Sequence, residues 1–310
     1  MSNDKGLTRW QRFLVQLLWI ICRGFALLPR IVRHHIFGTL IYWVLYYVMR
    51  YRRNVAMENL RNSFPEKSEK EACEICRKSY RNLAEQIINT VSKTGVSDEE
   101  LMRRTNIHGT DELAKMIHNR SCVFLTAHLG PWEAGTTMSL YITDHTTVGV
   151  YHPLKNLVMD ELMKRIRKHT RTELVPMKQT MRYLIQNYKQ QPLIMGLIAD
   201  QSPQRRAGQQ WFRFLNQWTA FFDGGEVMAL KYHLPVFYFS PRRIKAGIYE
   251  ANITLIYDGE EEVAEHEITK RYIHLLEQDI IERPELWMWT HRRWKRKPAP
   301  EILEQLEQQA

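Results

Sequence analysis

The sequence predicts an α/β protein built on a mixed, largely parallel sheet flanked by helices, with an apolar helical segment at its N-terminus. Three observations lead there. From residue 122 to 282 short strand-forming runs alternate with helical patterns, the arrangement that puts helices on the faces of a parallel sheet. Cys122 to Ala127 is an apolar run rich in strand formers, and Gly130-Pro131 after it ends a strand and suits a helix start. Phe13 to Leu28 and Ile36 to Met49 gather apolar residues ahead of everything else.

Composition sets the limits. The chain of 310 residues is 44% apolar and 25% charged, enough for one large core and without the bias that marks disorder. Its 44 Lys and Arg against 34 Asp and Glu leave a formal charge of +10, which points to anionic partners: phosphates, acidic proteins, membrane surfaces or nucleic acid. Four cysteines do not make a disulfide framework in a chain this long, so a reducing compartment is expected. Cys73 and Cys76 form a Cys-x-x-Cys pair, but in a charged helical pattern with no second pair to complete a zinc site. Neither a metal nor a cofactor is expected.

In chain order, residues 1–53 read as a membrane anchor or interfacial helices. Both apolar runs are shorter than the roughly 20 residues a helix needs to cross the hydrocarbon, so spanning, re-entrant, interfacial and buried arrangements all stay open. Trp19, Tyr42, Trp43, Tyr46 and Tyr47 suit a membrane interface, and Arg50, Arg52 and Arg53 favour keeping the chain beyond Met49 on the cytoplasmic side. Residues 54–105 read as a helical collar, in which Ser68 with Glu71 and Ser97 with Glu100 fit the capping box and frame one helix. Residues 106–298 form the expected catalytic domain: strand 122–127, helix from 131, strand 146–150, helices near 156–169 and 178–190, strand 193–199, helix near 225–233, strands near 235–240 and 248–256, and a helix near 266–282. Residues 299–310 are a tail.

Chemistry concentrates at 121–135. His128 stands where a strand stops, and Glu133 falls in the first helical turn, among free backbone N–H groups that favour a carboxylate. The intervening turn is expected to bring the two side chains together as a general base and its orienting partner. His274 and Asp279 have the same spacing inside one amphipathic helical pattern, where five steps of about 100° turn the side chains apart, so that pair is expected to be structural. The chain contains no Gly-x-Ser-x-Gly elbow, phosphate-cradling Gly-x-x-x-x-Gly-Lys loop, Gly-x-Gly-x-x-Gly or His-Glu-x-x-His. Serine hydrolases, nucleotide-driven enzymes and zincins are disfavoured accordingly.

His128-Leu-Gly-Pro-Trp-Glu133 resembles the His-x4-Asp/Glu signature of glycerolipid-type acyltransferases. Arg53-Asn-Val-Ala-Met-Glu-Asn-Leu-Arg-Asn-Ser-Phe-Pro65, Tyr151-His-Pro-Leu-Lys-Asn156 with Arg167 downstream, Ala199-Asp200-Gln201, Thr219-Ala-Phe-Phe-Asp-Gly-Gly225 and Trp289-Thr-His-Arg-Arg-Trp-Lys295 narrow the likeness to the lipid A late acyltransferases. It covers nearly the whole chain. The resemblance implies a glycerolipid acyltransferase-like fold and direct transfer of a fatty acyl chain from an acyl carrier protein or CoA thioester to a hydroxyl of a lipid A precursor.

The resemblance gives His128 the hydroxyl proton and has Glu133 hold its ring, while Arg167, which otherwise belongs to a basic helix face with Lys164, Arg165 and Lys168, stabilises the oxyanion. Asp200 shapes the site wall or merely starts a loop. Where the family carries Tyr-Arg-Pro this chain has Tyr151-His152-Pro153, so the arginine's role passes to His152, to Lys155 or to nothing. Arg292, Arg293 and Lys295, interleaved with tryptophans, are candidates for headgroup phosphates; the apolar N-terminus makes lipid a better partner for them than nucleic acid. Two alternatives stand beside this: the same chemistry on another glycolipid or aminolipid, and a membrane-anchored protein that binds anionic lipid or nucleic acid.

Overall fold

The computed structural model describes residues 6–168, 171–204 and 209–309. Residues 1–5 of the N-terminal segment, residue 169 of the expected helix 156–169 and residue 310 of the tail lie outside them.

The N-terminal runs fold as helices. α1 (Arg9–Ala26) starts at a capping box in which Thr8 accepts from the Gln11 N–H and Gln11 returns the bond. A mixed π and α stretch over residues 32–48 comes next, with α2 (Gly38–Trp43) at its centre. Among the described residues no helix is long and apolar enough to cross a membrane, which corrects the spanning form of the anchor. The physical reason is amphipathicity: Arg9, Arg12, Gln16 and Arg23 interrupt α1. One face of α1 packs on the body, where Arg165 donates to Gln16 at 3.3 Å and a Cβ on Gly95 would stand 2.7 Å from that of Ala26. The other face leaves Trp10 65% and Ile20 57% exposed, and the second stretch leaves Trp43 56% exposed.

The collar is three helices, α3 (Arg53–Ser63), α4 (Glu69–Ser92) and α5 (Asp98–Arg104). Ser68 and Ser97 cap two successive helices, α4 and α5, where the sequence suggested the ends of one. Asn59 on α3 donates to the carbonyls of Trp289 and His291, both at 2.9 Å, and Asn82 on α4 to that of Leu286 at 2.9 Å. The collar thereby fixes the tryptophan-rich segment near the C-terminus.

The remaining elements are β1 (Thr105–His108), α6 (Thr110–Met116), β2 (Cys122–Thr126), a 3-10 segment (Trp132–Leu140), β3 (Thr146–Tyr151), α7 (Leu157–Arg167), β4 (Thr172–Pro176), α8 (Thr180–Asn187), β5 (Leu193–Ile198), a small hairpin of β6 (Phe212–Phe214) and β7 (Gln217–Thr219), α9 (Gly224–Tyr232), β8 (Val236–Lys245), β9 (Ile248–Tyr257), α10 (Glu267–Glu282) and α11 (Pro300–Gln309). Seven strands make one sheet in the order β1-β9-β8-β2-β5-β3-β4. Every neighbouring pair is parallel except β8 with β9. The α/β class and the largely parallel sheet are therefore as expected. β2 lies at the centre with all five residues buried, which is why it reads as an unbroken apolar run rather than an alternation. Val123, Leu125 and Met195 pack with Tyr272 and Leu276 of α10 on one face. Phe124, Ile194, Phe237 and Met138 pack on the other.

Candidate active site

The register of the central strands builds the site. β2 and β5 run parallel with Thr126 opposite Ile198, and the pairing continues as Ala199 donates to the Thr126 carbonyl at 3.0 Å. Two residues beyond those ends stand His128 and Asp200. The ring Nδ1 of His128 lies 2.8 Å from Asp200 Oδ1. Oδ2 accepts the His128 backbone N–H at 3.0 Å and the Trp287 indole N–H at 2.8 Å. Burial alone would raise the pKa of Asp200, but the adjacent imidazole and these donors outweigh it and hold the carboxylate below its ordinary value. A carboxylate acceptor fixes the ring proton on Nδ1 and leaves the lone pair on Nε2. The Gln201 amide nitrogen lies 3.2 Å from Nε2, and the Trp132 ring stands 5.3 Å from the imidazole.

The backbone around the histidine is pinned from behind. Gly130 takes φ +47°, the left-handed region that glycine adopts without strain, and its N–H donates to Leu286 O at 2.9 Å. Met288 N–H donates to His128 O at 3.1 Å. The turn and the Trp287 segment thus hold one another.

Glu133 is placed differently from the expectation. Pro131 is followed by a 3-10 segment rather than an α-helix. The Glu133 carboxylate is clamped by Arg167, with Nη2 at 2.6 Å from Oε1 and Nε at 3.1 Å from both oxygens. Burial would raise its pKa, yet Arg167, Lys93 and His128 together keep it lowered. Lys93 donates to the Glu133 carbonyl at 2.5 Å and to Thr136 Oγ1 at 3.1 Å, and burial pushes its own pKa down to about 8 against the opposing charge of Glu133. The ring's carboxylate partner in this geometry is Asp200. The cause is topological, because the left-handed turn at Gly130 and the tighter 3-10 winding carry Glu133 toward α7, whereas the sheet register carries Asp200 to the imidazole.

A cavity of about 860 Å³ opens at these residues, with His128, Glu133, Arg167 and Gln201 in its polar wall and Phe124, Met138, Leu174, Ile194 and Met228 in its apolar lining. Its size lies within the range of ligand cavities, ~300–1,000 Å³. Gly196 faces Phe124 on one side and Gly149 on the other across the sheet. Within 4 Å a Cβ at Gly196 would meet only the Val148 carbonyl, at 3.4 Å. An apolar slot beneath the 3-10 segment, headed by a histidine and a carboxylate, suits a long alkyl chain whose reactive end stops at His128.

Residues 2–296 match the model of the bacterial lipid A biosynthesis acyltransferases. The chain belongs to this family. It is an acyltransferase, and its acyl transfer serves lipid A synthesis, which calls for an acyl donor and a lipid A-type acceptor. A lipid A biosynthesis acyltransferase of Haemophilus influenzae is 26% identical over 310 residues, covering 96% of this chain and 97% of the relative.

In this acyltransferase the fold brings together His128, Glu133, Arg167, Asp200, His152 and Lys295, all at or beside the same cavity. Lys155 is exposed and outside the lining, and Arg292 is exposed likewise. Arg293 corrects the headgroup expectation: it is 0% exposed, donates to Thr219 Oγ1 at 2.6 Å and to Ala220 O at 2.7 Å, and lies 4.2 Å from the Phe221 ring centroid. A guanidinium enclosed in this way knits the tryptophan-rich segment 287–294 to the end of β7 and has no open face for a lipid. His274 points to Gln278, and Asp279 to Tyr238, Ser240 and Arg283, so that pair is structural. Lys93, Trp287, Gln201 and Trp132 also contact the site residues, although the sequence reading assigns none of them a catalytic role. Gln201 has a usable signal in its place after Asp200; Lys93, 40 residues from Glu133, has none.

Proposed function

We propose that the enzyme moves a fatty acyl chain from an acyl carrier protein or CoA thioester to a hydroxyl of a lipid A precursor, with His128 as the general base. The observation that carries this is the His128–Asp200 pair at the head of an apolar cavity. Nε2 of His128 takes the proton of the acceptor hydroxyl as its oxygen attacks the thioester carbonyl. The tetrahedral oxyanion forms beside Arg167, with Glu133 fixing the guanidinium and Lys93 adding charge behind it. Collapse expels the thiolate, which recovers the proton from the imidazolium. No acyl-enzyme is needed.

The exposed apolar faces of α1 and residues 32–48 support adsorption to a membrane rather than passage through it, and Arg50, Arg52 and Arg53 favour the cytoplasmic face of the inner membrane. Lys295 and His152 at the cavity suit the phosphates of the acceptor or of the donor's carrier.

Lipid mass spectrometry of a strain lacking the gene tests the reading. Lipid A is expected to lose one acyl chain, restored by the wild-type gene and not by His128→Ala, which should reduce kcat by about 10³-fold without altering the melting temperature. Loss of a chain from another glycolipid or aminolipid, with lipid A intact, would replace the acceptor. Full restoration by His128→Ala would remove the base.

A further inference from the structure

A second cavity, of about 270 Å³, lies where two distant segments meet: residues 30–35, after α1, and residues 243–246, at the tip of the β8–β9 hairpin. It shares no lining residue with the acyl cavity. We propose that it binds the phosphate of an anionic lipid headgroup.

The lining carries Arg30, His34, His35, Arg243 and Lys245 and no acidic side chain. Arg33 and Arg104 add charge within electrostatic reach of His34. Two carboxylates answer them, and both are engaged. Glu85 is taken up by Arg243, the Gly247 N–H and the Tyr249 hydroxyl, and Glu100 by Arg103 and Arg104. Buried nitrogen atoms without a hydrogen-bond partner remain beside the cavity among the described residues. Arg33 is 3% exposed, and its Nε and Nη1 have no hydrogen-bond partner; neither has the buried Nδ1 of His34. Arg33 stands outside the cavity lining, so it acts on what the cavity holds through its charge rather than through these enclosed atoms. Burial pushes His34 down to about 4; Glu85 opposes the shift and Arg33, Arg104 and Arg30 add to it. An anion seated there would relieve that field.

The hairpin tip is shaped for the contact. Gly247 turns at φ +70°, and a Cβ on it would stand 2.7 Å from His34 Nε2. Glycine therefore permits both the turn and the approach of the ring.

The lipid origin of the phosphate is argued from the rim. Ile31 and Ile244 line the same cavity while 68% and 53% exposed, so basic groups and bare apolar side chains share one opening. Leu27, at the end of α1, is exposed just before it. That is the composition of a surface whose apolar groups enter the acyl boundary while its cations hold headgroups. This source rests on the proposed adsorption of the N-terminal helices to a membrane.

Co-sedimentation of the full chain with vesicles of phosphatidylcholine alone, and of phosphatidylcholine with phosphatidylglycerol, tests it. Wild type should prefer the anionic vesicles. Lys245→Gln should weaken that preference about fivefold, the equivalent of ~1 kcal/mol per basic residue near an anionic surface. His34→Phe, which leaves the net charge unchanged, should weaken it severalfold while binding to phosphatidylcholine is kept; His34→Gln serves if the Phe variant fails to fold. An effect of Lys245→Gln with none from either His34 variant would reduce the cavity to surface potential and overturn the proposal. So would saturation of the His34 and His35 resonances by inorganic phosphate together with an unchanged lipid preference, which would assign the site to the free ion. If wild type binds neither vesicle, the membrane reading itself fails.

Discussion

Two carboxylates approach one histidine from different directions, and they end with different partners. Glu133 is five residues from His128 in sequence and bonds to Arg167; Asp200 is 72 residues away and bonds to the imidazole at 2.8 Å. Chain proximity delivers a side chain to the vicinity of the ring, but hydrogen-bond geometry belongs to whichever backbone is rigidly registered beside it. Here that backbone is the neighbouring parallel strand. In the proposed mechanism the two carboxylates therefore do separable work: Asp200 sets the tautomer and orientation of His128, and Glu133 holds the Arg167 cation beside it.

The division can be broken most sharply at Asp200. Asp200→Asn offers an amide where the ring needs an acceptor, so kcat should fall by roughly 10²-fold or more with KM little changed, measured with a soluble thioester donor. Equal kcat in the variant would return the orienting role to Glu133.

Glu133→Gln should loosen Arg167 and so lower activity, but its stability loss is the part that isolates the ion pair. Breaking a fully buried ion pair costs ~3–5 kcal/mol, and the Arg167 side chain keeps 25% exposure, so about 2–3 kcal/mol is expected from the shift in urea midpoint. Arg167→Met should reduce that loss when added to Glu133→Gln, since the orphaned cation is then gone. Strictly additive losses would show that the two residues do not act as a pair.

The smallest effect is a pH dependence at Lys93. Its pKa is about 8 in the fold against ~10.4 in the unfolded chain, so between those values the unfolded state holds the extra proton and stability contributed by this site rises with pH. The penalty of the buried charge is fully present below pH 8. Relative to Lys93→Met, wild type should therefore gain stability from about pH 8 to about pH 10.4; a flat difference across that window would mean that the ammonium is not desolvated.

Much of this fold is legible in the sequence because its signals are local. The unbroken apolar run Cys122–Thr126, the Gly130-Pro131 stop and the alternation of strand and helix patterns each act within a few residues. β1 and β4 are edge strands of four and five residues with partial exposure, and they leave little pattern to read. His128 is visible as a strand-end histidine, but its partner is not, because the pairing of β2 with β5 is a long-range fact. Counting two residues past each strand end selects Asp200 only once those strands are known to be neighbours. Arg293 misleads for a related reason: a basic residue among tryptophans reads as a binding surface until Phe214 and Phe221 are seen to lie against it. The apolar N-terminal runs likewise carry the composition of an anchor, but the Arg9, Arg12, Gln16 and Arg23 side chains within α1 make it amphipathic rather than spanning.

The ¹⁵N chemical shifts of the neutral His128 ring, assigned by comparison with His128→Ala, test the central claim most directly. A proton fixed on Nδ1 with a bare Nε2 is predicted in wild type and in Glu133→Gln, with a mixture of tautomers in Asp200→Asn. Retention of the single tautomer in Asp200→Asn and its loss in Glu133→Gln would contradict the assignment of Asp200 as the orienting carboxylate.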